Sequence, residues 1–236
     1  MRGMKVIKNM KNLTKEDRRG GCYFVEGKPY PSVTHILGDV LKKPAIEYWK
    51  CKQMWLTMVK EPTQSMEQAM SSMYGVSDKA KTRGTAIHSI IEAWRQNDIK
   101  IETTPELQPF ADAFYQWLRD TSPKKLESEK TIINYKEGYA GTLDLLVEID
   151  EQKAVVDVKT SKDGETYRDA FLQVSAYLGA LSDVKRGFVL GLGENGKYTF
   201  KEVDANIDAF LACKKIYEYL NHDELEKLGY YQGRLV

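Results

Sequence analysis

Three ionisable residues in two neighbouring segments have the types and spacing to do chemistry together. AGTLDLLVEI (140–149) and AVVDVKT (154–160) both alternate like strands, and the polar Asp150-Glu151-Gln152-Lys153 between them reads as a four-residue turn. A hairpin closed in this way sets Ile149 opposite Ala154, Leu146 opposite Asp157 and Asp144 opposite Lys159. Side chains change face at every residue, so Asp144, Asp157 and Lys159 share one face, while Leu143, Leu145, Val156 and Val158 line the other. Opposite residues sit ~4.5–5.5 Å apart at Cβ and diagonal ones ~7–8 Å apart. Two adjacent carboxylates repel each other, and a hard divalent cation relieves that repulsion. A lysine beside them can offset negative charge on a phosphate. Such a set suits phosphodiester hydrolysis by a metal-activated water. The competing reading is an Asp–Lys ion pair on an exposed sheet face. Asp157-Val-Lys159 alone would favour that pair, and the shared face of Asp144 adds weight to a site.

The elements around this hairpin follow from periodicity. A short hairpin is expected from Tyr23–Val25 to Tyr30 around Glu26-Gly27, and Ser32-Val33-Thr34 offers a helix cap. Helices are expected at 44–60, 62–78, 79–97 and about 105–120, the last stopped by Ser122-Pro123. In the third of these Ile87, Ile90, Ile91 and Trp94 have core spacing. The period then changes to strands at 129–135, 140–149 and 154–160. A helix at 165–181, strands at 187–192 and 197–203, and a helix at 205–220 capped by Asp204 complete the chain. The order predicts an α/β or α+β core with a helical N-terminal elaboration wrapped on it. The expected division is a basic arm (1–20), a helical part (21–122) and a core (123–236), together one structural domain.

Composition narrows the function classes. The 236 residues carry 35 basic and 34 acidic side chains, so any nucleic-acid surface must be a local concentration of charge. One such excess is Arg2, Lys5, Lys8, Lys11, Lys15, Arg18 and Arg19 in the first twenty residues, readable as a solvated end or as a phosphate-touching arm. Cys22, Cys51 and Cys213 are far apart and form no CxxC pair, which argues against a zinc ribbon or an iron–sulfur cluster. Their odd number suggests a reducing, cytoplasmic setting. No apolar run approaches the ~20 residues of a membrane span.

Further candidates stand on adjacent helices. Gln173 and Tyr177 are four apart and point the same way, beside a core of Phe171, Val174 and Leu178. His88 lies in RGTAIHSIIE, where a helical histidine is either a ligand or an ordinary core or surface residue. Gly84, at a cost of ~1 kcal/mol against Ala, hints at close approach by a backbone or a ligand. Gly191-Leu-Gly193-Glu-Asn-Gly196 matches a dinucleotide fingerprint, but the segment after it alternates like a strand, so a hairpin turn is expected and no nucleotide. Tyr48, Trp49, Trp55 and Tyr74 lie among Lys42, Lys43, Lys50, Lys52 and Lys60. The tryptophans read as core, and the lysines as the better DNA contacts.

Taken in order, these pieces resemble the RecB-type branch of the PD-(D/E)XK nucleases. The pattern runs Gly84-Thr-Ala-Ile-His88, Glu129, Gly141-Thr-Leu-Asp144, Asp157-Val-Lys159 and Gln173-Val-Ser-Ala-Tyr177. Glu129 is preferred to Glu127 by its spacing to Asp144. Within the branch the chain is most similar to the mitochondrial genome maintenance exonuclease-like group and its phage and bacterial relatives, over most of residues 30–220. Leu143 stands where the family name has proline, and the four-cysteine set of the iron–sulfur members is missing. The resemblance implies an α/β, restriction-endonuclease-like core, a central mixed sheet flanked by helices, and a Mg²⁺- or Mn²⁺-dependent deoxyribonuclease. It would act on DNA, often from a free single-stranded end, in replication, repair or recombination. Asp144 and Asp157 would ligate the metal with the Val158 carbonyl, and His88 would add a ligand that favours Mn²⁺ tolerance. Lys159 would position or activate the attacking water. Glu129 would support the site as a ligand or from behind one. Gln173 and Tyr177 would orient Lys159 and the phosphate backbone, and Thr160, Lys162 and Arg83 would contact substrate. A flap-cutting endonuclease is the alternative mode. The intact Asp144, Asp157 and Lys159 set weighs against a catalytically silent DNA-binding module.

Overall fold

The computed structural model describes residues 18–41, 44–94 and 103–231. Most of the basic arm (1–17), Lys42, Lys43 and the side chain of Tyr74 lie outside the described residues. The described chain opens with a small antiparallel sheet of β1 (Arg18–Arg19), β2 (Cys22–Val25) and β3 (Lys28–Pro31). β2 and β3 turn at Glu26 and Gly27, both at positive φ, which matches the twist of the hairpin. α1 (Val33–Val40) follows. Its N-cap residue Ser32 makes no side-chain cap, and its hydroxyl pairs with Thr34 instead.

α2 (Pro44–Lys60) and α3 (Met66–Ala93) form a helical pair. The two helices expected over 62–78 and 79–97 are a single 28-residue helix. It starts at a capping box between Ser65 and Gln68, and Gly84 does not interrupt it. No backbone approaches Gly84 either, because an added Cβ there would meet nothing within 4 Å. The core assignment of Trp55 is also overturned. Trp55 is 61% exposed and Tyr48 71% exposed, while Trp49 is half-buried. α2 packs along α3, one helix covers one stripe of its neighbour, and Tyr48, Lys52 and Trp55 fall on the open stripe.

α4 (Gln108–Thr121) ends at Ser122, in the left-handed region, ahead of Pro123. Then come β4 (Lys124–Asn134), β5 (Tyr139–Ile149), β6 (Gln152–Ser161), α5 (Arg168–Ala180), β7 (Arg186–Gly193), β8 (Tyr198–Glu202), α6 (Ile207–Leu220) and α7 (His222–Lys227). Asn206 caps α6 by accepting the Ala209 N–H at 2.9 Å, and the expected cap Asp204 lies outside the helix. The strands form one mixed sheet in the order β4-β5-β6-β7-β8. β6 and β7 are parallel and joined through α5, and the other pairs are antiparallel. This is a mixed α/β arrangement, a five-strand sheet flanked by helices, as expected. β7 and β8 pair as a hairpin, with no helix after Gly196, so the glycine-rich segment is a turn, as its flanking alternation implies.

The β5–β6 turn is shorter than expected. Asp150 and Glu151 alone form it, with φ of 51° and 61°, the two left-handed residues of a tight hairpin turn. The register is Ile149 opposite Gln152 through Leu145 opposite Val156, two residues away from the predicted pairing. A slip of two leaves every side chain on its face, so the convergence of Asp144, Asp157 and Lys159 survives the error.

Helices cover both faces of the sheet. On one, Ile91 of α3, its C-cap residue Trp94, and Phe110, Phe114 and Trp117 of α4 pack on Leu145, Val147, Val156 and Val158. On the other, α1, α5 and α6 bring Ile36, Tyr177 and Phe210 onto Leu146 and Val155. Leu143 belongs to this second cluster rather than to that of Leu145. The strict alternation of β5 therefore breaks at Asp144. Among the described residues no helix is long and apolar enough to cross a membrane, and all three cysteines are free thiols.

Candidate active site

The break in β5 is where the charged residues meet. The β5–β6 ladder runs up to Leu145 and Val156. One residue further, the Asp144 carboxylate takes the place of a backbone acceptor: its Oδ2 accepts the Val158 N–H at 2.6 Å. On the other side of β5, Glu129 of β4 lies in the register position facing Asp144, between the pairs Ser128–Leu145 and Lys130–Leu143. Glu129 has a φ of 48°, an unfavourable backbone for a non-glycine residue inside a strand. Bulges and irregularities of this kind turn a side chain away from its default direction. A register shift between Lys125 and Glu127 precedes it.

α3 supplies the third group. His88 Nδ1 stands 3.4 Å from Asp144 Oδ1 and 3.6 Å from Glu129 Oε1. Ligand atoms of His88, Glu129 and Asp144 all fall within 4.8 Å of one another, close enough to share one ion. One imidazole nitrogen and two carboxylate oxygens form a donor set that Mg²⁺ accepts and Mn²⁺ accepts more readily. The donors fit a divalent cation.

Asp157 and Lys159 lie alongside, on β6. Asp157 has no exposed side-chain surface. Its Oδ2 is 2.7 Å from Lys159 Nζ, and its Oδ1 accepts the Gln173 Nε2–H at 2.8 Å. Lys159 Nζ also donates to Gln173 Oε1 at 3.2 Å. The Gln173 amide thus bridges the acid and the amine. Gln173 donates to Tyr177 Oη at 2.7 Å, and Tyr177 donates to the Thr142 carbonyl at 2.9 Å, which ties α5 back to β5. Gly141 lets this happen. A Cβ there would lie 2.8 Å from the Tyr177 ring and 3.3 Å from Val33.

Burial and like charge set the protonation of the site. Burial, then the nearby Asp157 carboxylate, pushes Asp144 up to about 7. Burial also raises Asp157, against the opposing pull of Lys159. Burial would lower Lys159, but Asp157 and Asp144 reverse this and hold it above its ordinary value. The Glu129 carboxylate raises His88 against the effect of burial, with help from Asp144. Tyr177 is pushed well above its usual range, chiefly by burial, and remains a neutral hydrogen-bond donor. A carboxylate so reluctant to ionise has an unmet need for positive charge, which a divalent cation supplies.

Asp144, Asp157, Lys159, Gln173, Tyr177, His88 and Glu129 therefore come together. Val158 contributes its N–H to Asp144. Thr160 is half-buried and Lys162 exposed, both near the end of β6. Arg83 is already engaged: its guanidinium is 2.6 Å from Glu194 and stacks over Phe110 at 5.0 Å. Thr142, Glu194 and Lys125 carry no signal in the sequence that would single them out. Thr142 sits inside the Gly141-Thr-Leu-Asp144 motif, but the group it uses is a backbone carbonyl, which residue type does not reveal.

No family model and no curated protein matches the chain. Among solved structures it is similar to a protein designated SSO0001, at 15% identity and a TM-score of 0.39, over 80% of this chain and 74% of that one. It is also similar to an alkaline exonuclease from Laribacter hongkongensis, at 13% identity and a TM-score of 0.37, over 85% of this chain and 94% of that one.

Proposed function

We propose that the chain is a metal-dependent deoxyribonuclease. The observation that carries this reading is the meeting of the buried Asp144 and Asp157 with the half-buried Lys159 at the open end of a hairpin, with His88 and Glu129 within ligand distance of Asp144. Burying two carboxylates beside each other costs several kcal/mol unless a cation or a proton compensates. A bound Mg²⁺ or Mn²⁺ would supply charge stabilisation at the phosphate and a water of lowered pKa.

His88, Glu129 and Asp144 would hold the ion, and Asp157 would join them once its carboxylate turns from Lys159. The Lys159 ammonium, then held by Gln173, would stand beside the scissile phosphate. It would offset charge as the phosphate gains negative character and orient the attacking water. Gln173 and Tyr177 keep that amine from swinging away. Thr160 and the exposed Lys162, near the end of β6, would contact the adjoining phosphates. Arg83 would join them only on leaving Glu194.

The substrate class we favour is single-stranded DNA with a free end, in an exonuclease mode. The exposed Tyr48 and Trp55 on α2, with Lys50, Lys52 and Lys60 against the single Glu47, support a sequence-tolerant strand contact of stacked bases and neutralised phosphates. End-labelled linear strands and a circular single strand, each digested with Mg²⁺, with Mn²⁺ and with chelator, test the reading. Loss of linear DNA alone, and only with metal, is the expected result. Cutting of the circle would replace the exonuclease mode by an endonuclease. Equal activity with chelator would end the metal-dependent reading.

A further inference from the structure

His88 reaches the site from a helix whose core contacts, among the described residues, lie at its C-terminal end. α3 is 28 residues long, roughly 42 Å at the helical rise. Ile87, Ile90 and Ile91, in its last turns, and the C-cap residue Trp94 are its buried contacts in the larger core. Small shifts of this end would move His88 relative to Glu129 and Asp144, which belong to the sheet.

One side chain ties the last turn of α3 to β4. Lys125 Nζ, on β4, donates to the carbonyls of Glu92 at 2.7 Å, Trp94 at 2.9 Å and Ile91 at 3.4 Å. These carbonyls belong to the last turn and cap of α3, whose C-terminal acceptors lack the full set of helical donors. The last turn of α3 contains no basic residue of its own. The negative end of the helix dipole thus receives its cation from a strand. The same ammonium lies 5.7 Å from the centre of the Trp94 ring. Lys125 is four residues before Glu129 on β4, and the capped carbonyls are three to six residues after His88 on α3. A single ammonium therefore clamps the helix carrying one ligand to the strand carrying another.

We propose that Lys125 is a positioning residue for the metal-ligating group, holding His88 in reach of Glu129 and Asp144 by capping α3 from β4. The functional half of this statement rests on the metal-dependent reading above, and the geometric half does not.

Lys125→Met keeps the aliphatic stem and removes the donor, and Lys125→Arg restores donors to the carbonyls. Three measurements on the full chain separate the outcomes. Calorimetric titration with Mn²⁺ alone should show affinity about tenfold weaker in Lys125→Met, comparable to losing a partner that orients a ligand, and largely recovered in Lys125→Arg. Thermal unfolding identifies the folded fraction, so that affinity is compared per folded molecule. A crystal structure of metal-free Lys125→Met should show His88 Nδ1 displaced beyond its present 3.4 and 3.6 Å from Asp144 and Glu129. Unchanged Mn²⁺ affinity in a folded Lys125→Met, or an undisplaced His88, overturns the inference. If wild type itself takes up no Mn²⁺, the metal-dependent reading fails and the crystal structure alone decides the geometric half. If Lys125→Met does not fold, Lys125→Gln, a shorter neutral donor, takes its place in the same measurements.

Discussion

The two ends of the β5–β6 hairpin are made from the same two strands and treat charge in opposite ways. At the turn end the ladder is regular and the charges sit outside. Lys153 pairs with Asp183, Lys124 with Glu148 and Arg186 with Glu202, all at least partly exposed. Such pairs contribute about 0–1 kcal/mol each and ask nothing of the fold. At the other end the ladder opens, an Asp carboxylate replaces a backbone acceptor, and two acids lose nearly all contact with water. Stability alone does not favour that arrangement, since well-packed apolar residues would serve a core better. The contrast is what the proposed active site at the open end would require.

Substitutions at each end test whether that contrast is real. The largest effect belongs to Asp157→Asn and Lys159→Ala. Each should lower DNA cleavage by roughly 10³-fold or more, in the range of removing a group that stabilises transition-state charge, with the circular-dichroism spectrum unchanged. A variant that keeps wild-type turnover would remove the site from this end of the hairpin.

Acidity gives the next largest effect. Asp144 titrates near 7 in the fold, against 3.8 as an ordinary aspartate. The folded state therefore holds a proton that the unfolded chain releases, so the contribution of this group is fully present below about 4 and is lost as pH rises to about 7. Raised His88 acts in the same direction, its contribution fading as pH climbs through its folded value. For the metal-free protein the decline should reach a few kcal/mol, since each tenfold difference in proton affinity between the folded and unfolded chain is worth about 1.4 kcal/mol. Urea unfolding at several pH values measures it. Mg²⁺ or Mn²⁺ should flatten the curve, and Asp144→Asn should flatten it without metal while abolishing cleavage. A flat curve for metal-free wild type contradicts the buried, uncompensated charge.

Gly141→Ala asks whether the open end depends on close packing. The new methyl would crowd the Tyr177 ring, costing about 1–3 kcal/mol of stability and loosening the Tyr177–Gln173–Lys159 chain. Turnover should fall more than substrate affinity. Stability and turnover equal to wild type would show that the ring is free to move. At the turn end Lys153→Ala should change stability by less than about 0.5 kcal/mol and leave cleavage untouched. A larger loss there would blur the distinction between the two ends.

Much of this is legible in residue types. Alternation alone reveals the strand pair, and the shared face of Asp144, Asp157 and Lys159 tolerates a wrong turn length because a two-residue slip preserves parity. The helix period places Gln173 and Tyr177 together on α5. Other readings fail for identifiable reasons. A split of α3 at 78/79 weighs its polar stretch too heavily, where propensity and a capping box carry the helix through. A core position for Trp55 follows from the usual burial of tryptophan, yet only packing partners decide burial, and α2 has its neighbour on one side. Nothing near Arg83 in sequence shows that it is engaged, because its partner Glu194 is 111 residues away.

Local sequence by itself determined which groups are present and which way they alternate, because periods of 2 and 3.6 are properties of the backbone. It thereby specified the hairpin, its charged face and the helix carrying His88. Tertiary structure alone decided where the ladder opens, how Glu129 turns and how far His88 reaches. It also decided that Gln173 bridges Asp157 and Lys159, and that Lys125 caps a helix from 31 to 34 residues away. Those outcomes depend on the distances between elements. Packing of the two cores sets such distances, and no periodicity within a segment encodes them.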